Sequence, residues 1–254
     1  MSEPRRVLIL GGTAEARDLA RRLAGRPALE VVTSLAGVTR NPERPPGRLR
    51  RGGFGGAAGL EAYLRDEAVA CLVDATHPYA ERISANAAAA AAAAKVPRLL
   101  LLRPPWDEEP GDRWLRVRDP EEAARRLPDL GRRIFVSSGR QGISAFRALT
   151  GHWFLIRLID PPEAPLPLPA YEVTPGRAPF TVEEEAELLR RHRIEALISK
   201  NSGGAMTYAK IAAARQLGLP VVMLDRPALP EGPRVPDSAA AADWLLRQLA
   251  TVRL

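Results

Sequence analysis

A chain of 254 residues, 46% hydrophobic and 26% charged, can hold one large or two small globular domains, and its composition excludes a disordered protein. No apolar run reaches the roughly 20 residues of a membrane helix, the start runs into a strand with no signal peptide, and a single cysteine excludes an internal disulfide, so a reducing cytoplasm is expected. The net charge of +7 rests almost wholly on dispersed arginines with few aromatics between them, which favours a polyanionic small ligand over nucleic acid, although an arginine-rich proteome alone would also give it.

Short apolar runs alternate with helical stretches, which predicts an α/β protein with parallel strands. Strands are expected at 7–10, 30–34, 69–74 and 97–102, then at 132–137, 153–159, 194–199 and 220–224. "VLILGGTAEARDLARRL" (7–23) reads as strand, turn and helix, with Ala16, Leu19, Ala20 and Leu23 on one helix face. In a dinucleotide turn three glycines make the bend, admit the pyrophosphate and let helix meet strand. Here those places hold Gly11, Thr13 and Ala16, with Gly12 as a further permissive residue. Thr13 can cap the helix and offer its hydroxyl to a phosphate held by the amides of Ala14 and Glu15. Glu15 itself reads as a first-turn acid favoured by the helix dipole.

The second strand ends in Thr33 and Ser34, where NAD enzymes place an acid for the ribose 2′-hydroxyl, and Arg40 follows. Hydroxyls plus arginine suit a 2′-phosphate, hence NADPH. Cys71, in "VACLVDA", reads as a small core residue. "DATHPYA" (74–80) then bunches Asp74, Thr76, His77 and Tyr79 around Pro78, where nicotinamide and ribose would pass. His77 is the histidine of this site, and His152 and His192 read as peripheral. A histidine before proline is often structural. The run Ala87–Ala94 reads as a smooth helix packed on the sheet.

Proline clusters in 103–114, read as an interdomain linker, and in 160–180, read as a cleft-lining loop. An internal repeat is visible: "VLILGGTA" (7–14) matches "IFVSSGRQ" (134–141), and "VPRLLLLRP" (96–104) matches "LPVVMLDRP" (219–227), at nearly one offset. The fold expected is two tandem Rossmann-like parallel-sheet domains, 1–112 and 113–254, with a cleft between them. The last helix, from Asp237, is expected to pack back across the boundary. In the second half, "SSGRQG" (137–142) and "SKNSGG" (199–204) each follow a strand and precede a helix, so Ser137, Ser138, Gly139, Arg140 and Gln141 form one anion-binding loop. Lys200, Asn201, Ser202, Gly203 and Gly204 form the other.

"GGTAEA", "SLAG", "GGFGG", "DATHPYA", "RPPW", "SSGRQ", "APFT", "SKNSGG" and "GLPVVMLDRP", taken in order along nearly the whole chain, resemble the precorrin-6x reductase family of cobalamin biosynthesis. Ala178, Ser138 and Tyr79 depart mildly from the commoner Gly-Pro-Phe-Thr, Thr-Gly-Arg-Gln and Thr-His-Pro-Phe. The resemblance implies NADPH-dependent reduction of one ring-D double bond of precorrin-6A to give precorrin-6B, with no metal or flavin. It implies NADPH on the first domain, touching Gly11 to Glu15, Thr33, Ser34, Arg40, Thr76, His77 and Pro78. A polycarboxylate tetrapyrrole would then meet Tyr79 and the two second-half loops, with His77 and Lys200 as the catalytic candidates. The partners implied are that tetrapyrrole and neighbouring pathway enzymes to which it is handed, with no nucleic acid and no membrane. The alternatives are the cobalt-precorrin-6A reductase of the anaerobic branch and a non-catalytic NADPH-sensing protein.

Overall fold

The structure, a computed structural model, describes residues 4–37 and 44–251; Arg40 lies outside the described residues. The chain divides into two compact units, 1–104 with 227–254, and 105–226. In the first unit come β1 (Arg5–Leu10), α1 (Ala14–Leu23), β2 (Leu29–Leu35), β3 (Arg48–Arg51), α2 (Ala57–Asp66), β4 (Val69–Asp74), α3 (Glu81–Ala94) and β5 (Arg98–Leu101). The second unit holds β6 (Trp114–Val117), α4 (Pro120–Arg126), β7 (Arg133–Val136), β8 (Trp153–Leu158), β9 (Tyr171–Pro175), α5 (Val182–Arg191), β10 (Ala196–Lys200), α6 (Ala209–Gln216) and β11 (Val221–Leu224). The chain then returns to the first unit for β12 (Arg234–Val235) and α7 (Ser238–Thr251).

Each unit is a six-stranded parallel sheet, ordered β12-β5-β4-β1-β2-β3 in one and β6-β11-β10-β7-β8-β9 in the other. The repeat visible in the sequence therefore has a structural counterpart: β1 and β7 are equivalent inner strands, and β5 and β11 occupy the same place in their sheets. Parallel sheets are covered on both faces, so their inner strands read as unbroken apolar runs. In β1, Val7 and Ile9 join the core beneath α1 and α7, while Leu8 and Leu10 join the core beneath α2 and α3. Ala87, Ala90 and Ala91 of α3 are buried, as the smooth-helix reading requires. Burial also holds the Cys71 thiol protonated, its pKa pushed up to about 11.

The outer strands carry a surprise. The strand that follows β5 in sequence, β6, belongs to the second sheet, and the strand that follows β11, β12, completes the first. Both crossings fall at the Arg-Pro endings that the repeat picked out. The domain limits expected at 112/113 consequently move: the chain crosses at 104/105, returns at 226/227, and the C-terminal helix packs on α1 in the first unit. The stretch 103–114 is no free linker. Trp106 is buried in the second core, and Asp112 accepts from Arg215 Nε at 2.9 Å. Nor is 160–180 all loop, because β9 pairs with β8 along the sheet edge. No helix among the described residues is long and apolar enough to cross a membrane.

Candidate active site

Parallel sheets bind ligands at the carboxyl ends of their strands, and the first unit places a glycine turn there, between β1 and α1. Gly11 donates its N–H to Ser34 O at 2.9 Å, and a Cβ on it would stand 2.9 Å from Thr33 Cγ2, so no larger residue fits between the strands. Gly12 has φ +116°, with no atom within 4 Å of where a Cβ would project. That missing Cβ leaves an open cradle in front of α1. The Ala16 N–H is taken by Thr13 Oγ1 at 3.1 Å and the Arg17 N–H by Thr13 O at 3.3 Å. The Ala14 and Glu15 amides precede these bonds, where a helix start attracts anions.

Thr13 explains its own place in the glycine pattern. It caps α1, as expected, but its hydroxyl proton goes to Ala75 O at 2.8 Å instead of to a phosphate. One hydroxyl has one proton, so Thr13 is a buried strut between the turn and the end of β4, and its contribution to a ligand is its backbone. Thr13→Val should lose the cap at a cost of about 0.5–2 kcal/mol and lower Tm by several degrees, whereas Thr13→Ser should hold it; thermal denaturation checks both. Glu15 is likewise engaged, its carboxylate 2.7 Å from Arg103 Nη1 with both groups largely buried.

Beside the turn, Ser34 and Thr33 are buried at the end of β2, with Thr33 Oγ1 lacking a partner among the described residues. Arg50 on β3 stands opposite Ser34 and donates to Ser34 Oγ at 3.3 Å. Nothing in the sequence pattern drew notice to it, because β3 is an arginine-rich edge strand without apolar alternation. At the end of β4, Asp74 Oδ1 accepts from the Thr76 hydroxyl at 2.7 Å and the Thr76 N–H at 3.2 Å. Thr76, like Thr13, therefore spends its hydroxyl proton internally. His77 Nδ1 accepts the Tyr79 N–H at 3.3 Å, which puts the proton of the neutral ring on Nε2, and the two rings lie 5.7 Å apart beside the buried Pro78.

In the second unit the two loops meet side by side. Lys200, at the end of β10, reaches Gln141 Oε1 at 3.4 Å, and burial lowers its pKa below that of an ordinary lysine. Ser137 turns its hydroxyl back to Ile198 O at 3.1 Å, Ser138 is buried, and Gly139 takes φ +79°. Arg140 is exposed, its Nη2 on Asp160 O and Pro161 O at 2.9 and 2.8 Å. The helix starts expected behind both loops are corrected. "SSGRQG" leads into a 3-10 turn, Ile143–Phe146, preceded by Gly142 at φ +79°, where a Cβ would collide with Pro120, and α6 begins only at Ala209, beyond an intervening turn. Among the described residues no α-helix N-terminus stands directly behind either loop, and what the loops present is side chains and loop amides.

Asn201 changes role as well. Its buried side chain accepts the Trp106 N–H at 2.7 Å and donates to Trp106 O at 2.9 Å, while Trp106 Nε1 donates to Gly204 O at 2.7 Å. Arg226 donates to Asn201 O at 2.8 Å and Ser202 O at 3.1 Å. The loop 199–204 is thus stapled from both chain crossings, and Asn201 is scaffold. The "APFT" motif is scaffold too: Phe180 lies over the Arg157 guanidinium at 4.1 Å, Arg157 pairs with buried Glu185, and Thr181 caps α5.

Beneath this loop Lys210 is buried, donating to Thr207 O at 2.6 Å and lying 5.0 Å over the Trp106 ring. Desolvation pulls its pKa down to about 7, against the opposing pull of Glu185. A lysine depressed in the fold binds fewer protons than in the unfolded chain, so between about pH 7 and 10 stability rises with pH. The free energy of unfolding should increase from pH 7 to 9 by on the order of 2 kcal/mol, read from denaturant titrations, and Lys210→Met should flatten that rise.

Residues 6–246 match the family described as Precorrin-6x reductase CbiJ/CobK. The precorrin-6A reductase of Rhodococcus erythropolis is 51% identical, covering 94% of this chain and 97% of its own. A solved structure of CobK precorrin-6A reductase superposes with a TM-score of 0.91 at 45% identity, covering 96% of this chain and 97% of that one. The cobalt-precorrin-6A reductase of Salmonella typhimurium is 30% identical over 97% of this chain and 98% of its own. Matched along nearly its whole length in sequence and in fold, this chain belongs to the precorrin-6x reductase family.

Proposed function

We propose that this chain reduces precorrin-6A to precorrin-6B, with NADPH as reductant, in cobalamin biosynthesis in the cytoplasm. The observation that carries the reading is near full-length identity to precorrin-6A reductases, well above that to a cobalt-precorrin-6A reductase. The first unit fits the cofactor: the open face at Gly12 admits a pyrophosphate against the Ala14 and Glu15 amides, and the last residues of β2, Ser34 and Leu35, include no acid. When bound, NADPH supplies a hydride to one carbon of the conjugated system. The chain's own residues hold the reactants and exclude an acid that would repel a 2′-phosphate. In the second unit, Lys200 offers a partly desolvated cation to substrate carboxylates, with Arg140 at the loop rim, and the amides of 137–141 and 202–204 as further donors.

The neighbouring atom of the reduced bond must gain a proton. His77, whose Nε2–H is set by the Tyr79 N–H on its other nitrogen, and the Tyr79 hydroxyl are the side chains at that strand end that can give one. A conjugated macrocycle spreads charge over its ring nitrogens, so the step does not demand one dedicated acid. His77→Ala and Tyr79→Phe should each keep activity within about a hundredfold, the low end of what a positioned acid contributes; steady-state kinetics decide it. For the function itself, the purified chain should consume NADPH only when precorrin-6A is supplied, and yield a product two hydrogens heavier. Turnover restricted to the cobalt-loaded substrate, or NADPH binding without turnover, would contradict the proposal.

A further inference from the structure

The region where β2 and β3 end holds a cation whose surroundings point to a specific task. Arg50 faces Ser34 across the two strands, at the place where a dinucleotide sheet reads the adenosine ribose. Its guanidinium is fixed on three sides. Nη1 donates to Ser34 Oγ at 3.3 Å and to Gly52 O at 2.6 Å, and Nη2 donates to Gly53 O at 2.9 Å. Its flat face lies 3.7 Å from the centre of the Phe54 ring, with Tyr63 edge-on to Phe54 behind it. The "GGFGG" loop therefore wraps the arginine, its carbonyls taking the Nη1–Nη2 edge.

A guanidinium has five N–H donors, and these bonds use three of them. The two left among the described residues, on Nε and Nη2, share the other edge, which is the fork that grips a phosphate or carboxylate bidentately. A charge so held loses little freedom on binding, since its rotamer is already set by stacking and loop carbonyls. No acid partner for Arg50 occurs among the described residues, while neighbouring Arg48 is paired with Glu30 and Glu67. The ligand that fits is a phosphate monoester on an adenosine ribose whose diphosphate lies at Gly12.

We propose that Arg50 reads the 2′-phosphate of NADPH, with the Ser34 hydroxyl beside it, and so sets the preference for NADPH over NADH. This rests on the cofactor reading given above. Calorimetric titration of adenosine 2′,5′-bisphosphate and of 5′-AMP into the full chain tests both and separates them. Wild type should bind the bisphosphate more tightly than 5′-AMP. Arg50→Gln should weaken the bisphosphate by about 10- to 150-fold, the range of a charge-assisted contact, and change 5′-AMP by no more than a few-fold. Arg50→Lys, which keeps the charge and loses the fork, should fall between them.

Wild type binding the two nucleotides alike would overturn the NADPH reading itself. Wild-type discrimination that survives in Arg50→Gln would overturn the assignment to Arg50 alone, as would an equal loss of both nucleotides, which marks a purely structural arginine. Should the variants fail to fold, a crystal structure of wild type with the bisphosphate decides: the 2′-phosphate lies within hydrogen-bond distance of Arg50 Nε and Nη2, or the assignment is wrong.

Discussion

Gly12→Ala should leave the chain folded and raise the NADPH dissociation constant by about a hundredfold, equivalent to about 2.8 kcal/mol. The two halves of that expectation have separate causes. A non-glycine residue at φ +116° costs roughly 1–3 kcal/mol of backbone strain, and nothing stands within 4 Å to clash with the new methyl, so the fold survives. The methyl would instead occupy the cradle before α1, keeping a pyrophosphate from the Ala14 and Glu15 amides, each worth about 1.5–3 kcal/mol as a contact to a charged group. Thermal denaturation beside NADPH titration separates strain from obstruction. Gly11→Ala makes the contrast: its Cβ would press on Thr33 Cγ2 at 2.9 Å, so stability and binding should fall together.

Lys200→Met should raise the KM for precorrin-6A by about 10- to 150-fold and leave NADPH binding unchanged, because the residue ends β10 in the second unit while the glycine turn lies in the first. The side chain is partly desolvated, with its Nζ 3.4 Å from Gln141 Oε1, and a carboxylate gains more from a desolvated cation than from an exposed lysine. The pH dependence has a definite sign. Burial lowers the Lys200 pKa from 10.5, so the cation is lost as pH rises through that lower value, and substrate affinity should begin to fall at a pH where an ordinary lysine is still charged. In Lys200→Met that fall should vanish. A KM that is unchanged in the variant would make Lys200 a structural residue.

The inner strands were legible because they are buried on both faces: Val7 to Leu10 and Ala196 to Ile198 are all buried, and their sequences are apolar throughout. The edges were not. β3 is "RLRR", with one apolar residue; β9 is "YEVTP", whose short alternation ends in a proline and follows a proline-rich run that reads as loop; and β12 pairs over two residues, too few to show a period. β6 hides behind a proline-rich stretch that reads as linker, and the exchange of β6 and β12 between sheets leaves no trace in local pattern. In the site, what the backbone does was readable: a turn that needs Gly11 and Gly12, a cap at Thr13, a strand that carries Ser34 next to its last residue. Which partner each polar side chain takes was not, because Thr13 with Ala75, Asn201 with Trp106, and Arg50 with Ser34 join residues remote in sequence. Those partners engage the Thr13 and Asn201 side chains within the fold and bring Arg50 into view.

The central claim is that this chain delivers a hydride from NADPH directly to the tetrapyrrole. Turnover of precorrin-6A with NADPH deuterated at the transferred position of the nicotinamide, in ordinary water, tests it in one mass spectrum. The account predicts a product carrying one deuterium, with the second added hydrogen drawn from solvent. A product without deuterium, formed while NADPH is consumed, would contradict it.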